Sequence, residues 1–268
     1  MKRLDGSSLR MYLLLVKASV RSRMQHPFNF VVGTIMAAFV NVIDFALIAV
    51  VLRRFGQVQD WSMAEVAYLY GVIVLCKALY RTFASDVHQL EKYLVSGDLD
   101  QLLTRPVPVL LALMSQNVTL YTAEPLLGVT MVAWSLQQLM AAGQVGWAAV
   151  PLTLLMVVTG AVILFAIGLA TATAGFWITR IRELQVVTED ASKFAAQYPL
   201  SLYPKWLQYV LCTLIPVGFA NYIPSLYVLR GEPGFWVMGA TALVAGLCLM
   251  LSLRFWRFGL SRYQSAGS

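Results

Sequence analysis

The sequence predicts an all-α polytopic membrane protein of six transmembrane helices, and two observations carry that expectation. Hydrophobic residues make up 59% of the 268-residue chain and charged residues only 12%, with a mean hydropathy of +0.70. A soluble domain carries about 25% charged residues. The apolar residues also gather in long runs. A spanning helix needs about 20 of them to cross a hydrocarbon core of about 30 Å. This length allows about six such runs with short connections and leaves no room for a second soluble domain of ordinary size. The chain therefore reads as one domain over 1–268.

The net charge of +7 does not point to nucleic acid, because the basic residues flank apolar runs. Lys2, Arg3, Arg10, Lys17, Arg21 and Arg23 precede the first run, and Arg254, Arg257 and Arg262 follow the last. Cytoplasmic loops carry such an excess of Lys and Arg, so both termini are expected in the cytoplasm. Cys76, Cys212 and Cys248 lie apart in apolar surroundings and show neither metal-ligand spacing nor a redox pair. No cleavable signal peptide is expected, since the first apolar run begins late and lacks a small-residue cleavage pattern.

Along the chain, Leu9, Leu13, Val16 and Val20 fall at helical spacing with Arg10, Lys17 and Arg21 on another face. Residues 7–26 read as an amphipathic interfacial helix, ended by Pro27. Span 1 is expected over about Phe28 to Leu52 and span 2 over Ala64 to Ala84. A charged segment, 85–106, then returns the chain to the cytoplasm. It keeps a helical apolar pattern at Leu90, Leu94, Leu99, Leu102 and Leu103, broken at Gly97 and stopped by Pro106. An ordinary loop would be rich in Gly, Ser and Asn, so this amphipathic element suggests docking onto another protein.

Span 3 is expected from Pro106 to about Met140, with a tight outer turn at Gly143–Gly146. Span 4 runs about Trp147 to Ile178, with small residues at Ala166, Ala170 and Ala174 and at Gly168, Ala172 and Gly175 that let helix backbones approach closely. Hydropathy puts span 5 at about Trp206 to Val228, but Pro199, Pro204, Pro216 and Pro224 break that region. Broken backbone at membrane depth is tolerated where it is buried in protein or lines a cavity. Span 6 runs about Phe235 to Trp256, and Trp61, Trp147, Trp236 and Trp256 sit near membrane ends as interfacial aromatics do.

Few residues offer chemistry. Asp44 in span 1 and Glu124 in span 3 are carboxylates at membrane depth, where insertion costs roughly 2.5 kcal/mol or more. Glu124, followed by Pro125, reads either as part of a substrate or proton path or as a structural partner of Lys77 in span 2. Asp44 reads as structural near the outer edge. Glu189, Asp190 and Lys193 cluster at helical spacing, either near the translocation path or on a solvated cytoplasmic face. His26 and His88 offer no metal-ligand spacing. Neither a nucleophile elbow nor a phosphate-binding loop is present in the sequence. No enzyme activity and no bound metal are expected, and any ATP is expected on a different chain.

Three motifs carry a family resemblance. Gly97, Leu99, Asp100, Leu103, Arg105 and Pro106 form a G-x-L-D…L…R-P pattern after span 2. Tyr198-Pro199-Leu200, Tyr203-Pro204 and Trp206-Leu207 form the second. Ile215-Pro216-Val217 through Asn221-Tyr222 to Pro224 form the third. In this order and spacing the chain resembles ABC-2 type export permeases, and within them the six-span permeases that form half of a two-permease exporter.

The resemblance implies that span 5 is about Glu183 to Tyr203 and that 204–230 is an outer re-entrant element containing Pro204, Pro216, Asn221 and Pro224. It implies that Asp86 to Arg105 is a coupling helix pressing on an ATPase subunit. Leu94, Leu99 and Leu103 would be its docking contacts, with Asp98 and Asp100 capping or orienting its second short helix through the N-terminal amides. It further implies a second, non-identical permease, ATP and Mg on partner ATPases, export, and a bacterial inner membrane. The rival readings are a proton-coupled secondary transporter using Glu124 or Asp44, and a membrane scaffold without transport.

Overall fold

The computed structural model describes residues 61–116, 123–178 and 181–263, with scattered positions between Lys17 and Val50. Asp44 and the interfacial helix expected over 7–26, save Lys17, fall outside the described residues. Among those described, every element is helical and no strand forms.

The order is α1 (Met63–Ala84), a 3₁₀ turn (Ser85–Gln89), α2 (Leu90–Ser96), α3 (Asp98–Thr104), α4 (Val109–Met114) and α5 (Ala123–Ala141). It continues with α6 (Ala149–Thr173), α7 (Arg182–Gln197), α8 (Lys205–Thr213), α9 (Val217–Ala220), α10 (Tyr222–Arg230) and α11 (Trp236–Arg262). Three of the described helices are long and apolar enough to cross a membrane: α1, α6 with its 3₁₀ extension to Phe176, and α11.

Helix α1 forms the centre. Its start is a reciprocal cap, in which the Ser62 amide donates to Glu65 Oε2 at 2.8 Å and the Glu65 amide to Ser62 Oγ at 3.2 Å. Val66 through Tyr70 are all buried, as expected of a helix apolar on every side. It crosses α5 where two glycines meet. A Cβ on Gly71 would press on Val132, and one on Gly128 would press on Leu75. It joins α6 through a buried hydrogen bond of 2.7 Å between the Tyr68 and Thr153 hydroxyls. Helix α6 in turn packs along α11 and meets α9 at Gly160, whose Cβ would lie 2.5 Å from the Ala220 carbonyl oxygen. Close approach of this kind is what small residues permit.

The expected turn at Gly143–Gly146 forms a Schellman end to α5. Gly143, at φ 71°, donates to the Met140 carbonyl and Gln144 donates to that of Leu139, each at 3.0 Å. Span 3 is described in two pieces, α4 and α5, rather than one run from Pro106. Helix α11 continues past Trp256 to Arg262, so Arg254 and Arg257 belong to the helix instead of following it. Arginine is a good helix former whose long stem lies along apolar surface while its head reaches water.

The region from α7 to α10 is broken where its prolines fall. Pro199, Pro204 and Pro216 each stand at a helix N-cap, and Pro224 is the third residue of α10. Proline is tolerated in a first turn, where its missing N–H has no partner to lose. No single helix covers 206–228; the stretch is divided among α8, α9 and α10. Asn221, fully buried, holds this region together. Its amide donates to the Leu69 carbonyl of α1 at 2.9 Å and to the Ala196 carbonyl of α7 at 2.7 Å.

Candidate functional site

The 85–106 segment folds as a self-supporting two-helix loop at one end of the bundle. Asp86, wholly buried in the 3₁₀ turn, accepts a 2.6 Å hydrogen bond from the Tyr93 hydroxyl, which fixes α2 against the end of α1. Gly97 takes φ 74° between α2 and α3. Glycine enters this left-handed region at no steric cost, so the chain reverses in a single residue. Leu90, Leu99 and Leu102 then turn inward to a cluster that includes Val87, Leu113, Leu169 and Trp256. Past the last helix, burial pushes the Tyr263 phenol up, and the neighbouring Asp100 carboxylate adds to the rise. The loop is thus braced on α6 and on the end of α11.

The residues expected to dock divide on this frame. Leu99 is 0% exposed and faces the core of its own chain, whereas Leu103 is 43% exposed. Leu94 is half-buried at the seam with the α6–α7 connection, its Cδ1 3.3 Å from where a Gly175 Cβ would lie. Val95, which the sequence reading passed over, is 69% exposed. Pro106 is exposed and Arg105 half-exposed. The cap position of α3 is Gly97, so Asp98 and Asp100 are not caps but first-turn residues, where a carboxylate complements the helix dipole. Asp98 Oδ2 accepts the Ser96 hydroxyl at 2.6 Å.

A second contact joins this loop to α7. Glu91 Oε2 accepts both the Ile181 amide at 2.8 Å and the Arg182 amide at 2.6 Å. No local side chain caps α7, whose N-cap is Ile181. The cap comes instead from a residue 90 positions earlier.

The other expected residues lie on several separate elements where they are described. Glu124 is buried in the first described turn of α5, and its Oε2 has no hydrogen-bond partner among the described residues. Lys77 lines a cavity of about 20 Å³ with Tyr80, Gly168 and Ser192, room for about one water. Glu124 is not among the cavity's lining residues, and no Glu124–Lys77 ion pair forms among the described residues. Glu189, Asp190 and Lys193 lie on α7. Gln185, Ser192 and Gln197, also on α7, are buried with polar atoms lacking a partner among the described residues. Pro204, Pro216, Asn221 and Pro224 mark the breaks described above. No group of His, Cys, Asp and Glu suited to a metal occurs among the described residues.

One polar centre was missed from sequence. At the opposite end of α1, Glu65 Oε1 accepts the Gln144 side-chain amide at 3.0 Å and the Arg230 Nε at 3.2 Å. The Arg230 guanidinium also lies 4.4 Å from the Trp61 ring centroid. The Ser62-x-x-Glu65 spacing signalled the cap, but no local pattern pointed to Gln144 or Arg230.

A bundle with three helices long and apolar enough to cross a membrane, and a braced, partly apolar loop at one end, defines an integral membrane protein. The family model described as ABC-2 family transporter protein matches residues 38–267, and the chain belongs to that family. It is therefore a membrane component of an ABC transporter, a family that implies association with ABC ATPase subunits. No curated protein matches it by sequence.

Proposed function

We propose that the chain is the permease subunit of an ATP-driven exporter in a bacterial inner membrane. It crosses six times, with both termini and the 85–106 loop cytoplasmic and 204–230 re-entrant from the outer face. A second, non-identical permease completes the translocation path, and ATP and Mg bind on separate ATPase subunits. The observation that carries this reading is the pair Val95 and Leu103, two exposed apolar side chains on a loop whose other apolar residues are committed to the core. In a family of ABC transporter membrane components, such knobs on a rigid support suit an ATPase groove.

The test is to purify the chain from its native membrane in detergent and assay the eluate for bound ATPase, for wild type and for Val95→Asp with Leu103→Asp. ATPase activity on wild type and its loss from the double variant are expected, with the yield of folded permease unchanged. Glu124 Oε2, buried and without a partner among the described residues, favours one rival, a proton path. That rival gains if no ATPase accompanies wild type and if Glu124→Gln abolishes gradient-driven transport.

A further inference from the structure

We infer that Glu91 is the positioning residue that carries motion of the docking loop into α7; the inference rests on the reading of that loop as an ATPase contact. Glu91 and Val95 are one turn apart on α2 and so share a helix face. Val95 is exposed at the docking surface, while Glu91 grips the start of α7 through two hydrogen bonds to one carboxylate oxygen. Bonds to an ionised acceptor are short and roughly twice as strong as neutral ones. A tilt of α2 therefore draws the α7 N-terminus with it instead of sliding past. Leu94, half-buried beside Gly175 and Ile181, keeps the same seam filled.

What α7 does with that motion follows from its other attachments. Near its far end, the Ala196 carbonyl is bonded to Asn221, which also holds the α1 carbonyl of Leu69. The 16-residue helix spans roughly 24 Å, so a displacement at Glu91 reaches the broken α8–α10 region directly. Gln185, Ser192 and Gln197 lie buried along α7 without partners among the described residues for some of their polar atoms. Buried polar groups are ordinarily satisfied, so α7 carries groups that a second arrangement can pair differently. Two discrete arrangements are what a lever needs if it is to bias a transport cycle.

The test is hydrogen exchange on the permease bound to its ATPase in nanodiscs, with and without ATP and vanadate. Wild type is compared with Glu91→Ala and Glu91→Gln. In wild type, nucleotide is expected to change exchange in both 90–104 and 182–197. In Glu91→Ala the ATPase stays bound and 90–104 still responds, but the response of 182–197 is lost. The Ile181 and Arg182 amides then exchange at least about tenfold faster, as loss of a charge-assisted bond predicts. Glu91→Gln, which keeps an acceptor oxygen without the charge, falls between; it carries the test alone if the alanine variant does not fold. An undiminished 182–197 response in either variant overturns the inference. So does a wild type in which only 90–104 responds, and so does loss of the ATPase from Glu91→Ala. Absence of ATPase from wild type overturns the underlying reading instead.

Discussion

At the first turn of α1, the Glu65 carboxylate uses Oε2 to accept the Ser62 amide and Oε1 to accept Gln144 and Arg230. One side chain thus caps a helix and ties it to the turn after α5 and to the last turn of α10, where a cation suits the helix dipole. Its side chain is 4% exposed, so removing its partners leaves a charge out of water, whereas Arg230 at 34% keeps partial solvation. Loss of a cap costs about 1 kcal/mol, and stranding a buried ion-pair partner costs more. Glu65→Ala is expected to destabilise the protein by about 2 kcal/mol or more, read as a fall in thermal midpoint in detergent. Arg230→Ala removes no cap but strands the buried Glu65 carboxylate, so its cost is expected to be comparable. A double-mutant cycle should return a coupling near ~1 kcal/mol, since Arg230 is a third exposed. Additive losses would show that the 3.2 Å contact contributes nothing.

Between elements, glycine sets how closely helices approach, and Gly160 gives a direct test because its neighbour is backbone. A Cβ there would meet the Ala220 carbonyl oxygen at 2.5 Å and Cys76 Sγ at 2.6 Å. The first is backbone and cannot swing aside. Gly160→Ala is expected to force α6 from α9 and cost about 1–3 kcal/mol. Gly239→Ala, where nothing lies within 4 Å, should be neutral or stabilising, because alanine suits a helix better. Equal stability of the two variants would refute the packing argument. Gly168 was legible as one of a small-residue stripe, and its close neighbour proved to be the His88 ring; no sequence pattern names such a partner. Likewise α1, α6 and α11 could be read from apolar runs, because burial in a bundle or in lipid makes the same demand on composition. The α7–α10 region could not. Its polar residues and prolines disguise α7, and its order depends on Asn221 bridging segments far apart in sequence. The 85–106 loop was legible as paired short helices, but helical spacing alone does not say that Leu99 turns inward while Val95 turns outward.

Across the whole molecule, the two ends of the bundle differ in kind. The loop end carries α2 and α3; the opposite end carries the Glu65 centre and the tight turn after α5. Helix α1, at 22 residues, is roughly 33 Å long, enough for a hydrocarbon core of about 30 Å. If α1 and α5 both cross, Lys92 on α2 and Ala142 after α5 lie on opposite faces of the membrane. Both are exposed, so each can be replaced by cysteine in a chain whose own Cys76, Cys212 and Cys248 are changed to alanine. On the proposed reading, the excess of Lys and Arg at the two ends of the chain sets the direction, because segments with that excess tend to stay cytoplasmic. An impermeant maleimide added to intact cells is therefore expected to label Cys at position 142 and spare Cys at position 92. Inverted vesicles should give the reverse. Labelling of both from one side would mean that the segment between them, ending in α5, does not cross. The reversed pattern would put the docking loop outside the cell, away from ATP, and would remove the basis for an ATP-driven exporter while leaving the helix packing untouched.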